Sequence, residues 1–122
     1  MLKHACALFV ATVATFGSAS AISAGSPFDG RWSVVIQTEH GSCDAAYRYG
    51  LLIQNGKVSY AGDSSFEVSG QVVNNGAVHV RVSLGATYAD GHGRLGRDSG
   101  SGVWTGVGAG TCSGRWSAER RG

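Results

Sequence analysis

Hydrophobic and polar residues alternate with a period of two along nearly the whole chain after Ala24, as expected of strands that bury one face. In Arg31–Thr38, Trp32, Val34 and Ile36 fall on one face and Ser33, Val35 and Gln37 on the other. Tyr47, Tyr49, Leu51 and Ile53 share the apolar face of a second segment, opposite Arg48, Gly50 and Leu52. Asn55-Gly56 follows as a two-residue hairpin turn, because both central positions of a type I′ turn need a positive φ that Asn and Gly tolerate. A third strand, Lys57–Ala61, carries Val58 and Tyr60 inward, and Gly62-Asp63 turns the chain into a fourth, with Phe66, Val68, Gly70 and Val72 inward. After Asn74-Asn75-Gly76, Val78, Val80, Val82 and Leu84 face in while Ala77, His79, Arg81 and Ser83 face out. A sixth strand from Ala86 places Thr87, Ala89, Gly91, Gly93 and Leu95 against Tyr88, Asp90, His92 and Arg94. Asp98-Ser99-Gly100 reads as a turn, and Gly102–Gly108 and Cys112–Arg120 complete the series with Trp104 and Trp116.

Helix has no support: apolar residues never recur at i, i+3, i+4 and i+7 over a dozen positions without an intervening glycine. About eight antiparallel strands joined by short turns form a meander, and closing it on itself removes both exposed edges. The expected fold is all-β, a small antiparallel up-and-down barrel of about eight strands. The alternative is a two-sheet β-sandwich, which shows the same alternation along each strand and differs in how the connections run.

The 122-residue length allows one domain. Lys3 and His4, the small-apolar run Ala5–Ala14 and the A-x-A triplet Ala19-Ser20-Ala21 read as a secretory signal peptide over residues 1–21, leaving a single barrel domain over 22–122. Without the leader, nine Lys+Arg face eight Asp+Glu, a balance that gives no electrostatic case for nucleic acid or an anionic membrane. No later apolar run reaches the roughly 20 residues of a membrane-spanning helix, so a periplasmic or secreted product without membrane insertion is expected.

Cys6 falls inside the leader, so Cys43 and Cys112 remain, and two thiols in an exported chain imply one disulfide. In an up-and-down barrel both lie at one rim, two strands apart, and the bridge forms if Cys43 is still in the loop before its strand. No Cys-x-x-Cys or Cys/His spacing supports a metal, and His40, His79 and His92 are scattered.

Gly30-Arg31-Trp32-Ser33 recurs as Gly114-Arg115-Trp116-Ser117, with Gly102-Val103-Trp104-Thr105 a looser relative. A glycine near a strand start lets the large ring lie against a neighbouring backbone, and core packing is the leading reading of these tryptophans, ahead of rings lining a ligand cavity. Phe28-Asp29-Gly30-Arg31-Trp32, opening an eight-strand meander, resembles the Gly-x-Trp start of calycin-type barrels, the lipocalins and avidins, and of exported bacterial barrels that inhibit proteases or lysozyme. The chain is shorter than lipocalins and lacks their C-terminal helix, so the resemblance does not extend to a deep lipophilic cavity. As a whole, with Gly-Ser-Cys-Asp after the first strand and Cys-Ser-Gly-Arg-Trp near the end, it looks like small exported alphaproteobacterial proteins of unassigned activity. That likeness implies export and no mechanism.

Catalysis finds no footing. Asp98-Ser99-Gly100-Ser101-Gly102 lacks the Gly-x-Ser-x-Gly form of a nucleophile elbow, and the glycines at 106–110 precede no helix that could receive a phosphate. No enzyme and no cofactor are expected. Candidate binding residues are Arg48, Arg81 and Tyr88, facing outward, His92 in Asp90–Arg94, and Trp104, since Arg, Tyr and Trp dominate binding hot spots. The first functional expectation is an exported, inhibitor-like binding module whose loops Glu39–Asp44 and Gly106–Thr111 meet another exported protein. The second is a carrier of a small apolar ligand, because Ala89, Gly91 and Gly93 leave either a cavity or a space that Trp104 fills, and indole packing there would argue against a carrier. An envelope protein with no ligand is the third.

Overall fold

A computed structural model describes residues 25–62, 66–108 and 110–122. The leader, its cleavage triplet, Cys6 and Asp63 lie outside the described residues. Eight antiparallel strands close into a barrel in chain order: β1 (Gly30–His40), β2 (Ala46–Gln54), β3 (Lys57–Tyr60), β4 (Glu67–Val72), β5 (Ala77–Leu84), β6 (Thr87–Leu95), β7 (Ser99–Val107) and β8 (Thr111–Arg120). The barrel, rather than the sandwich, is the fold. Its closing seam pairs β1 with β8 from Trp32↔Arg120 to His40↔Ser113, with a bulge between Thr38 and His40.

Turn chemistry sets the local geometry. Asn55 and Gly56 take φ values of 54° and 78°, as a two-residue type I′ turn requires. Three boundaries differ from the sequence reading. The β6–β7 turn occupies Gly96–Asp98, and Ser99 and Gly100 already pair with Glu119 and Ala118 of β8. Phe66 stands just ahead of β4 instead of inside it. Leu84, expected to face the core, is 51% exposed, because β5 runs out to the rim, where no further layer lies above it.

The two ends of the barrel are built differently. At the end holding the β2–β3, β4–β5 and β6–β7 turns, Phe28, Trp32, Ile53, Val58, Val72, Val78, Leu95 and Ala118 form a buried floor. The segment before β1 seals it. Asp29 accepts backbone N–H bonds from Asn55 (2.8 Å), Gly56 (3.1 Å) and Ser26 (3.2 Å), anchoring that segment to the β2–β3 turn. Burial pushes the Asp29 carboxyl up, but these hydrogen bonds together outweigh it and hold the group below its ordinary value. Arg120 closes the other side: its guanidinium donates to the carbonyls of Asp29 (2.6 Å), Pro27 (2.8 Å) and Arg97 (2.8 Å) and lies 4.9 Å from the centre of the Trp32 ring. At the opposite rim, Cys43 and Cys112 form a disulfide with Cα atoms 6.2 Å apart. The bridge is reachable because Cys43 lies in the loop before β2, short of the strand itself. A disulfide is consistent with an oxidising, exported compartment.

Two outcomes test this description. Because the folded pKa of Asp29 is depressed, its contribution is fully present above the unfolded value of about 4 and is lost as pH falls through the folded one. Asp29→Asn should therefore cost about 1–2 kcal/mol at pH 7 and flatten the loss of stability between pH 5 and 3 in urea titrations, whereas an unchanged acid limb would show that the carboxylate anchors nothing. Reduction of the disulfide, which spans a sequence separation of 69, should remove about 4 kcal/mol and lower the melting temperature by roughly 15–30 °C, read by circular dichroism with and without reductant.

Candidate functional site

The barrel interior is unevenly filled. Each of the three tryptophans points inward and spends its indole N–H on a backbone carbonyl: Trp32 on Phe28 (2.9 Å), Trp104 on Gln37 (3.0 Å) and Trp116 on His92 (3.3 Å). The glycines of β6 and β7 make room for two of them, Gly106 for Trp104 and Gly93 and Gly102 for Trp116. A Cβ at Gly93 would stand 2.7 Å from Cζ2 of Trp116, and one at Gly102 would stand 2.7 Å from its Cε2. Beside Gly93 the space opened by the small side chains of β6 is thus packed by indole, but by Trp116 across β7, whereas Trp104 reaches over to the bulged end of β1. That packing removes Gly93 from the argument for a carrier and leaves Ala89 and Gly91 facing open space.

A void remains there. Trp32, Val34, Ile36, Leu51, Val80 and Ala89, with further aliphatic residues, Tyr49, Trp104 and Trp116, surround an internal cavity of about 70 Å³, where one water molecule needs roughly 10–15 Å³. The three indole N–H groups are already engaged, so among the described residues the wall is almost entirely hydrocarbon. Lining residues near the floor are nearly inaccessible, Trp32 at 2% and Ile53 at 3%, while Ile36, Tyr49, Val82 and Ala89 toward the other rim are half-buried. The cavity therefore opens away from the floor.

Four aromatic rings gather at that opening. Tyr49 stacks on Tyr47 at 6.3 Å and meets Phe66 edge-on at 5.4 Å, and Tyr60 meets Phe66 edge-on at 5.5 Å. Burial, and then the neighbouring Tyr47 and Tyr60, push the Tyr49 phenol up, so it stays neutral at any physiological pH. The Tyr47 hydroxyl accepts from the backbone N–H of Asp44, next to Cys43, which ties the aromatic cluster to the disulfide loop. Tyr60 and Phe66 were absent from the candidate set. Their signal was present, since all four rings fall on inward parities at strand ends that alternating strand direction brings to one rim.

The outward candidates divide. Arg81 binds Asp90 through two hydrogen bonds of 2.9 and 2.8 Å and lies 4.2 Å over the Tyr88 ring. His92 stacks on its cross-strand partner His79 at 5.3 Å, and His79 Nε2 is 3.7 Å from Asp90. The hydrogen bonds from Arg81 hold the Asp90 carboxyl below its usual range. Arg81, Tyr88 and His92 thus form one polar strip on the outside of β5 and β6. Arg48 does not join them: it lies on β2, within 3.4 Å of Ser33 on β1. Trp104 belongs to the interior. Among the described residues no group of three or more His, Cys, Asp or Glu side chains is arranged to hold a metal ion.

Comparison with family models, with curated proteins and with solved structures returns no match.

The glycines offer a sharp contrast in outcome. A Cβ at Gly93 would press on the backbone of Ser101 and Gly102, the latter at 2.6 Å, so Gly93→Ala should destabilise by about 1–3 kcal/mol. At Gly91, on the same strand face, the nearest atom is 3.4 Å away, and Gly91→Ala should be neutral or stabilising by up to about 1 kcal/mol in thermal melts. Equal effects at the two positions would contradict the placement of the Trp116 ring.

Proposed function

We propose that this protein is an exported, non-catalytic binding protein that takes a small apolar ligand into the barrel through the aromatic mouth. The observation that carries the reading is the cavity that three tryptophans leave unfilled. A closed barrel of this strand number can be filled completely by its own side chains, and protein interiors seldom keep voids larger than a water molecule. Here the floor is sealed by Phe28, Asp29 and Arg120, the wall is almost entirely hydrocarbon, and the opening is lined by aromatic rings. The void is well below the roughly 300–1,000 Å³ of drug-sized ligand pockets, so a ligand that fits it is small and apolar. Export to a periplasmic or extracellular space fits both the leader-like start and the disulfide.

A second reading, docking of another exported protein on the same rim, is favoured by one observation. Tyr88 (36% exposed) and Val107 (43%) are cross-strand partners at the ends of β6 and β7, and the disulfide holds the loop before β2 to β8 at the same rim.

Filling the cavity separates a void from a packed core. Ala89→Phe should abolish binding of xenon, read by xenon NMR, and leave thermal stability equal or higher. If the space were not real, overpacking would instead cost about 1–3 kcal/mol. Failure of the unmodified protein to take up xenon would count against the apolar-ligand reading and shift weight to the rim.

A further inference from the structure

Resting on the reading of the cavity as a ligand site, we infer that its occupant is a compact, volatile, hydrocarbon-like molecule of the size of cyclopropane, and that the barrel excludes a benzene-sized ring by volume. The wall sets the chemistry. Each indole N–H that borders the space is bonded to a backbone carbonyl, and among the described residues no buried side-chain nitrogen or oxygen lacks a partner. A hydroxyl or a charge carried inside would give up its hydrogen bonds to water without replacement. An apolar occupant loses nothing there and supplies the dispersion contacts that the lining atoms lack.

Volume sets the size. An apolar cavity of about 150 Å³ accepts benzene, which is about 25 Å³ for each heavy atom, and at that ratio a space of about 70 Å³ takes about three. The wall resists swelling to take more. Swinging the ring of Trp32, Trp104 or Trp116 aside would strip its N–H from the carbonyl of Phe28, Gln37 or His92. Trp116 has no room to retreat, since even a Cβ at Gly93 or Gly102 would stand 2.7 Å from its ring. The strand ladder is closed and offers no edge at which to open. What spare room exists lies on the cavity side, at Gly91, where an added Cβ would meet nothing closer than 3.4 Å.

The test follows the methyl signals of Val34, Val80 and Ala89 by carbon-13 NMR while the disulfide-bonded protein is titrated with xenon, cyclopropane and benzene. Cyclopropane should bind at least about tenfold more tightly than benzene. Leu51→Ala takes three carbon atoms off the wall, and should raise the affinity for benzene at least about tenfold. Gly91→Ala, which adds a methyl group to the same space, should weaken cyclopropane about threefold or more and keeps the test decisive if Leu51→Ala fails to fold. Benzene bound as tightly as cyclopropane, xenon taken up without cyclopropane, or cyclopropane binding unmoved by Gly91→Ala would overturn the size class while the cavity remains a ligand site. Absence of binding by xenon and cyclopropane alike would overturn both readings.

Discussion

The seam between β1 and β8 is the constraint on which the rest of this molecule depends. An eight-strand meander left open would carry two bare edges, each a row of unsatisfied N–H and C=O groups. Pairing Trp32 through His40 with Arg120 through Ser113 removes both at once. It also brings the start of the chain beside its end. That proximity is what allows Arg120 to reach the carbonyls of Pro27 and Asp29 and to lie on Trp32, and what allows the loop after β1 to reach Cys112. One clamp works at each end of the seam, charge-assisted hydrogen bonds at the floor, a covalent bridge at the mouth.

Closure then makes an asymmetric interior. Large rings on a narrow barrel must find room somewhere, and the glycines of β6 and β7 provide it for Trp116 and, at Gly106, for Trp104. Trp104 bridges to Gln37, where the bulge in β1 turns a carbonyl toward the inside. With Trp32 at the floor, the indoles leave space beside the valines of β5 and the aliphatic residues of β1 and β2. Because all three N–H groups are consumed in holding the rings, the remaining wall is almost entirely hydrocarbon.

The polar strip outside β5 and β6 has a more modest role. Arg81 is half-exposed and Asp90 is 20% exposed, so their bidentate pair is screened by solvent and adds little to stability. Its effect is to keep Tyr88 and the paired histidines in defined positions on the sheet surface. Arg48, alone on the far side of the barrel, takes no part.

Strand number and the inward faces were legible from residue order, since a period of two admits only one set of core positions per strand, and Asn55-Gly56 pins the register of one hairpin. The disulfide was legible too, because two cysteines in an alternating meander fall at one rim. Where the chain departs from these readings, the cause is spatial. Leu84 has the parity of a core residue but stands beyond the last layer, and Phe66 works from outside its strand. Gly91 and Gly93 look equivalent along β6, yet the close approach of the β7 backbone and of Trp116 from two strands away fills one site and leaves room at the other. Periodicity reports which face a side chain occupies. How far along the barrel axis it lies, and which ring from a distant strand reaches it, depend on strand stagger and closure, and these arise only when all eight strands are assembled.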